Sequence, residues 1–118
     1  MAVELTYSDP VKTGQALTSV ISGILKNGET SIPLQLPDYP DKTISIGGAS
    51  AVFNSATVVV RDKSSTVTLD DNIGTALSFI ANGCKVIAQN PAEIEVVVSG
   101  GDASTSIPFE FTCVKHFR

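Results

Sequence analysis

Apolar residues recur at every second position along much of this chain, and this periodicity constrains its fold most strongly. The clearest case lies near the C-terminus, where four apolar residues share one face: Ile107, Phe109, Phe111 and Cys113. Successive side chains of a strand point to opposite faces of a sheet, so this period predicts a strand with one buried face. Pro108 cannot donate a ladder hydrogen bond, which predicts an edge or a bulge there.

Two runs of valine, Val58–Val60 and Val96–Val98, interrupt the alternation. A continuous run needs cover on both faces of its sheet, so these segments are predicted to be central strands. The chain has 13 Val, 10 Ile and 11 Thr but 7 Leu. Because β-branched side chains fit a pleated surface better than a helix, this composition favours strands throughout.

Turn residues separate the apolar runs at short intervals. Asn27-Gly28 and Asn82-Gly83 are dipeptides typical of hairpins, and Gly100-Gly101 is also read as a hairpin connection. About seven to nine short strands with such spacing predict an all-β fold, a single antiparallel β-sandwich of jelly-roll-like form.

Residues 1–118 are predicted to form one domain, with 1–14 as a possible N-terminal arm and 115–118 as a short tail. Residues 18–25 fit both helical spacing and a strand, and Gly23 together with the β-branched residues favours the strand. The N-terminus lacks the basic and apolar regions of a signal peptide, so assembly in a cytoplasm is expected.

Charge and composition disfavour several classes of function. Twelve acidic residues against eight basic ones give a net charge of −4, which argues against nucleic-acid binding. The apolar runs are too short to cross a membrane. With one His, two Cys and no Trp, the chain has little material for catalysis, so it is predicted not to be an enzyme and to use no cofactor.

The residue types capable of chemistry each have a simpler interpretation. His116 is the third residue from the C-terminus, and a terminal tail is a poor scaffold for a catalytic His, which needs a nucleophile and an orienting carboxylate held around it. A small hydrolase is therefore the weakest hypothesis. Residues 70–74 include the acids and glycine of a calcium loop but lack its distal glutamate, so a structural turn is favoured. Cys84 and Cys113 are too few for a zinc site even with His116, and two free, buried thiols are expected rather than a disulfide.

Tyr39 lies in a proline-rich segment, Pro37 to Asp41, which would hold its ring stiffly. Rigid loop aromatics are typical anchors of interfaces, so Tyr39 is a candidate contact residue. The alternative is that Tyr39 caps one end of the sandwich. A glycan platform is disfavoured because Tyr7 and Tyr39 are the only tyrosines and Trp is absent.

The order of these elements resembles the small β-sandwich head-decoration (cement) proteins and related structural virion proteins of tailed bacteriophages. The residues that carry the resemblance are Lys26 to Thr30, Leu34 to Lys42, Thr57 to Val60, Thr68 to Asp70, Gly74 to Phe79, Asn90-Pro91, Ile94, Val98 to Asp102 and Thr105 to Ile107.

The resemblance implies a non-enzymatic virion protein that binds the major capsid protein, or another virion protein, on the outer capsid surface and stabilises the shell. A homo-oligomer, dimer or trimer, is expected. Candidate interface residues lie in the two terminal segments: Val3, Leu5, Tyr7, Lys115 and Arg118. The alternatives are a tail, collar or fibre component and a module that binds host surfaces or glycans.

Overall fold

The computed structural model describes residues 2–3, 6–7, 11–13, 16–31, 33–36, 39, 41–89 and 91–116. Within these ranges the secondary structure is entirely β, as the sequence predicts. The strands are β1 (Ala2–Val3), β2 (Thr6–Tyr7), β3 (Val11–Thr13), β4 (Ala16–Lys26), β5 (Thr30–Ser31), β6 (Asp41–Ile46), β7 (Thr57–Asp62), β8 (Ser78–Phe79), β9 (Gly83–Val86), β10 (Ile94–Ser99) and β11 (Ser106–His116).

The strands form two sheets that pack face to face. The first sheet has the order β1-β5-β10-β7-β8, and the second has the order β2-β4-β11-β6-β9, with β3 also paired to β4. Neighbouring strands are antiparallel except for β1 and β5, which are parallel. The predicted β-sandwich is therefore confirmed.

The connectivity from β4 to β11 is that of a jelly roll. Along these eight strands the chain crosses between the sheets at every connection except β7 to β8, which are neighbours in the first sheet. Two four-stranded sheets result, β4-β11-β6-β9 and β5-β10-β7-β8. Jelly rolls of this kind occur in capsid proteins, lectins and cupins, so the architecture does not select a function.

This connectivity corrects the hairpin predictions. Asn27-Gly28 joins β4 to β5, Asn82-Gly83 joins β8 to β9, and Gly100-Gly101 joins β10 to β11, and each pair of strands lies in different sheets. In the first connection, Glu29 N donates to Lys26 O at 3.0 Å. Gly28 has a φ of 70° at the third position of that turn, the conformation that a type II turn requires.

The two longest strands form the centre of the second sheet. β4 and β11 pair over eleven residues each, from Lys26 opposite Ser106 to Ala16 opposite His116. The strand predicted for residues 18–25 is thus confirmed. The edge position predicted from Pro108 is wrong, because β11 lies between β4 and β6. Its proline is tolerated where the β6 ladder ends, since Gly47 N donates to Pro108 O at 2.8 Å.

The valine runs occupy the middle of the first sheet, as predicted. In β7, Val58 and Val60 are buried, and in β10 the same holds for Val96 and Val98. The intervening valines, Val59 and Val97, face each other across the two strands on the outer side and are half-buried. The core between the sheets is completed by the alternating residues of β11 and by Ile44 and Ile46.

Candidate functional site

The outer face of the second sheet is a surface of mostly small, uncharged side chains. Register and alternating burial place thirteen residues on it: Thr18, Val20, Ser22, Ile24, Asp41, Thr43, Ser45, Cys84, Val86, Pro108, Glu110, Thr112 and Val114. Of these thirteen, only Asp41 and Glu110 are charged, and both are acidic. The remaining side chains are hydroxyl and aliphatic groups and the Cys84 thiol. The exposed Lys26, opposite Ser106 at the end of β4, continues the same face and is its cation.

The outer face of the second sheet is somewhat smaller than a standard protein interface. Its strands β4, β11, β6 and β9 have 11, 11, 6 and 4 residues, which at about 3.4 Å by 4.8 Å per residue cover about 520 Å². This is about two-thirds of the roughly 800 Å² that each partner buries in a standard protein–protein complex. Ile24 is 53% exposed near one corner, and Val86 is 42% exposed at the opposite edge.

The outer side of the first sheet is less suited to binding. Arg61 and Glu95 lie opposite each other there, and Arg61 Nε donates to Glu95 Oε1 at 3.0 Å. Val59 and Val97 beside this ion pair are half-buried rather than exposed. The charges of the first sheet are therefore paired within the chain. On the second sheet, Glu110 contacts Thr112 Oγ1 at 3.5 Å, a marginal hydrogen bond that leaves the carboxylate available.

The N-terminal candidates are separated by the structure. Val3 lies in β1 and pairs with Ser31 in the first sheet, whereas Tyr7 lies in β2 and pairs with Ile21 in the second. In the sequence, Val3, Leu5 and Tyr7 alternate with Glu4 and Thr6, which predicts a single first strand. That prediction is wrong, because the chain changes sheets between Val3 and Tyr7. Their main chains pair within the protein itself. Leu5 lies outside the described residues.

The remaining candidates are not brought together either. Tyr39 is half-buried and packs against the hydrophobic core, which fits the alternative that it caps one end of the sandwich. Lys115 is exposed and pairs with Leu17 near the end of β11. Arg118 lies outside the described residues. The face of the second sheet was missed at the sequence level because strand order is needed to assemble it.

The two cysteines differ in environment. Cys84 is exposed on β9 and Cys113 is buried on β11, and both are free thiols. The expectation of free thiols agrees with the structure, but the expectation that both are buried is wrong for Cys84. Burial raises the pKa of the Cys113 thiol, and the nearby Lys42 ammonium opposes that rise.

The acidic turn at residues 70–74 binds its own backbone. Asp71 Oδ1 accepts hydrogen bonds from Thr75 N at 2.8 Å and Ile73 N at 2.9 Å. The Thr75 N–H holds the pKa of Asp71 below its ordinary value of 3.8, with the Ile73 N–H and Lys85 acting in the same direction against desolvation. Among the described residues, no group of three or more His, Cys, Asp or Glu side chains could hold a metal ion.

A second carboxylate organises the connection from β10 to β11. Asp102 Oδ1 accepts from Asn54 Nδ2 at 2.9 Å and from Ser104 N at 2.8 Å. The Asn54 side chain, followed by the Ser104 N–H, lowers the pKa of Asp102 below 3.8. Asp102 thereby joins this connection to the one between β6 and β7.

These two carboxylates predict acid sensitivity. Their folded-state pKa values are lowered, so their stabilisation is complete above the unfolded value of 3.8 and is lost as the pH falls through the lower folded values. We expect the thermal midpoint to decrease progressively below about pH 4. Asp71→Asn and Asp102→Asn should each make this decrease shallower. Calorimetric melts across the acid range would show it, and variants with the wild-type slope would contradict the assignment.

Comparisons with known proteins give no family assignment. No family model matches the chain, and no curated protein matches it. Two solved structures resemble its fold. One is a cupin superfamily protein from Desulfitobacterium hafniense DCB-2, with 10% identity and a TM-score of 0.44 over 98% of this chain and 81% of that chain. The other is a cupin domain from Bordetella pertussis Tohama I, with 7% identity and a TM-score of 0.47 over 97% and 94%.

These findings correct the resemblance stated from the sequence. The matching structures are described as cupins and not as phage head-decoration proteins, and no family model points to a phage protein. The resemblance to phage cement proteins is therefore wrong. The described part of the chain also contains no helix long and apolar enough to cross a membrane.

Proposed function

We propose that this protein is a non-enzymatic β-sandwich that functions by binding another protein. The outer face of the second sheet is its contact surface. The observation that carries the proposal is the chemistry of this outer face. It is formed by neighbouring strands of one sheet and bears two carboxylates among small side chains, with the cation of Lys26 at its end. Interface centres are depleted in lysine, and Lys26 lies at the end of this face rather than at its centre.

The interior supports binding at the surface rather than within the fold. The space between the sheets is filled by aliphatic and aromatic side chains, several of which are completely inaccessible, including Ile44, Val60, Val96 and Phe111. A ligand site inside a sandwich needs a concave space lined partly by polar groups. Because the interior is filled by these apolar side chains, the proposed binding site is on the exposed surface and not between the sheets.

The partner is expected to be a flat protein surface that presents a cation opposite Glu110. A basic side chain placed there would pair with a carboxylate that has only a marginal bond to Thr112. A repeated lattice, such as the shell of a virion, is one partner of this kind, because many weak copies of one contact gain avidity. Stabilisation of such a shell would follow by mass action. A tail, collar or fibre position is an alternative with the same chemistry.

Glycan binding is the alternative from another class, and it fits less well. Sugar recognition commonly uses exposed aromatic rings, and Tyr39 is packed against the core. None of the thirteen residues placed above on the outer face of the second sheet is aromatic. A glycan array with clear signal, together with no binding to protein, would favour this alternative.

The experiment compares two exposed isoleucines. Ile24 lies on the proposed contact surface and Ile73, 80% exposed, lies in the connection between β7 and β8. Each isoleucine is replaced by lysine in the cells that make the protein. Sedimentation of the cell lysates then measures the assembled fraction, which is the share of this protein that sediments together with its partner. Ile24→Lys should reduce that fraction at least about tenfold, because it puts a charge where an exposed aliphatic side chain would be buried against the partner. Ile73→Lys should leave it unchanged.

The result that would contradict the proposal is an equal assembled fraction for both variants. Thermal melts of the purified variants serve as the control for folding. Both substitutions replace exposed side chains, so both proteins should remain folded with midpoints close to that of the wild type.

A further inference from the structure

One corner of the outer face of the second sheet carries a group of neighbouring aliphatic side chains. Ile24 on β4 is 53% exposed and lies opposite Pro108 on β11. Beyond the end of β6, Val52 N donates to Ser106 O at 2.8 Å and Ser106 N donates to Val52 O at 2.9 Å. Residues directly opposite each other in an antiparallel pair share a face, so Val52, 37% exposed, extends the same outer face. Ile24, Pro108 and Val52 are called the corner patch below.

Two opposite charges lie on either side of the corner patch. On β4, the exposed Lys26 follows Ile24 by two residues. Because β11 runs in the opposite direction, the exposed Glu110 lies two residues beyond Pro108 on the other side of the patch. The Cα atoms of Lys26 and Glu110 are thus four residues apart along the strands and one strand apart across them, about 14 Å in all. Ile24 and Pro108 lie midway between the two charges.

Both charges are available for an external contact. The carboxylate nearest to Lys26 along the chain is that of Glu29, whose Oε1 accepts from Lys26 N at 2.7 Å. Glu29 is therefore engaged by the main chain, and within the described residues the Lys26 ammonium has no ion pair. The Glu110 carboxylate has only its marginal contact with Thr112 Oγ1.

We propose that a second copy of this chain packs its corner patch against this one, about a two-fold axis that crosses β4 and β11 at Ile24 and Pro108. The axis lies between the two faces and nearly at right angles to the strands. Rotation about it brings Lys26 of each copy to Glu110 of the other, at two equivalent places. It also sets the two Ile24 side chains against each other. The inference rests on the proposed function, because it names the occupant of the same surface.

Like-charge repulsion selects this position of the axis. An axis through Glu110, near the middle of β11, would overlap the two outer faces more completely. It would also set the two Glu110 carboxylates against each other, which is unfavourable. The axis at Ile24 instead pairs each carboxylate with an ammonium. Charge therefore favours the overlap at the corner over the larger one.

The overlap at the corner is small, so the self-contact is weak and reversible. Five residues along each strand, Ser22 to Lys26 on β4, and a width of three strands give about 250 Å² per copy. A standard complex buries roughly 800 Å² per partner. The expected dissociation constant is about 0.1–1 mM. The rest of each outer face, toward Thr18 and Val114, remains uncovered in the dimer.

The test uses two charge reversals, Lys26→Glu and Glu110→Lys, in purified protein. Either variant alone places like charges at both contacts of its own dimer, so its dissociation constant should rise at least about tenfold. An equimolar mixture of the two forms a mixed dimer in which both ion pairs are present again, one of them reversed. Sedimentation equilibrium should therefore give the mixture a dissociation constant within about threefold of the wild-type value.

Two further charge reversals control for the change in net charge. Lys63 and Glu93 are exposed and lie in the connections from β7 to β8 and from β9 to β10, away from the corner patch. Lys63→Glu and Glu93→Lys change the net charge by the same amounts as the test variants, and both should keep the wild-type dissociation constant. Thermal melts at low concentration should show all four variants folded, since every substituted side chain is exposed.

Three outcomes would overturn the second copy as occupant. These are a mass of 12.3 kDa for the wild type at every concentration up to about 3 mM, a mixture no heavier than its separate components, or equal weakening by the control reversals. A monomeric purified chain whose Ile24→Lys variant still loses its assembled fraction in lysates would refute only this inference. Restoration in the mixture, with equal assembled fractions for Ile24→Lys and Ile73→Lys, would refute only the contact with another protein.

Discussion

Phe111→Ala should lower the free energy of unfolding by about 3–5 kcal/mol, the range found when a buried phenylalanine is truncated. Phe111 is completely inaccessible at the centre of β11, between β4 and β6. Its ring packs edge-on against Phe109, with centroids 6.0 Å apart and an angle of 77° between the planes. The truncation leaves a cavity in place of the ring. The main chains of β4 and β6 are hydrogen-bonded to β11 on either side, so they cannot move in to fill this cavity.

Chemical denaturation at one fixed protein concentration measures this change, since self-association contributes to apparent stability. At about 4 °C per kcal/mol, the thermal midpoint should fall by roughly 12–20 °C. Ile80→Ala is the matched control, because Ile80 is 76% exposed and its truncation should change stability by less than about 0.5 kcal/mol. A loss below about 1 kcal/mol for Phe111→Ala would contradict the packing described for the core.

Gly101→Ala should destabilise the protein by about 2–4 kcal/mol, from backbone strain and a steric clash together. Gly101 has a φ of 83°, a conformation that residues with a Cβ rarely adopt. An added methyl group would collide with Thr105 Oγ1 and approach Ala56 Cβ at 3.0 Å. Thr105 Oγ1 accepts from Asp102 N at 2.9 Å and donates to Phe53 O at 3.2 Å, so the clash disturbs the junction of two connections.

Gly28→Ala separates the two causes. Gly28 also has a positive φ, of 70°, but an added Cβ there would meet no atom within 4 Å. Its substitution should cost about 1 kcal/mol, which is the backbone strain alone. Equal losses for the two variants, measured by denaturant unfolding, would show that the contact with Thr105 has no energetic weight.

The local features of the fold were predictable from the sequence. Alternation along residues 107–113 identified the buried face of β11, and the valine runs identified the two central strands of the first sheet. Both predictions rest on side chains that must be covered on one or two faces wherever the strand is placed. The need to bury these side chains is a local constraint, so it applies whatever the order of the strands in the sheets.

The connections could not be predicted in the same way. An Asn-Gly pair favours a positive φ whether the next strand joins the same sheet or crosses to the other. In a jelly roll most connections cross, so the turn signal at Asn27-Gly28 was correct while the hairpin inferred from it was wrong. Pro108 misled for a related reason: a proline is tolerated in a central strand when the neighbouring ladder ends beside it.

The candidate contact surface depends on strand order, which a single sequence does not reveal. Ile24, Thr43 and Val114 are far apart along the chain, and pairing of β4, β11 and β6 brings them to one face. The sequence instead directed attention to the termini, where Val3 and Tyr7 pair with strands of their own chain. Alternation showed which residues point outward on each strand but not which strands are neighbours.

The central claim, that the outer face of the second sheet is a protein contact, is tested most directly by hydroxyl-radical footprinting. The chain is oxidised in the native assembly isolated from the cells that make it, and as the purified protein. Mass spectrometry then compares oxidation at Ile24, Pro108 and Val114 with that at Ile73. We predict strong protection of the first three residues in the assembly and no change at Ile73. Equal oxidation of all four residues in both samples would contradict the account.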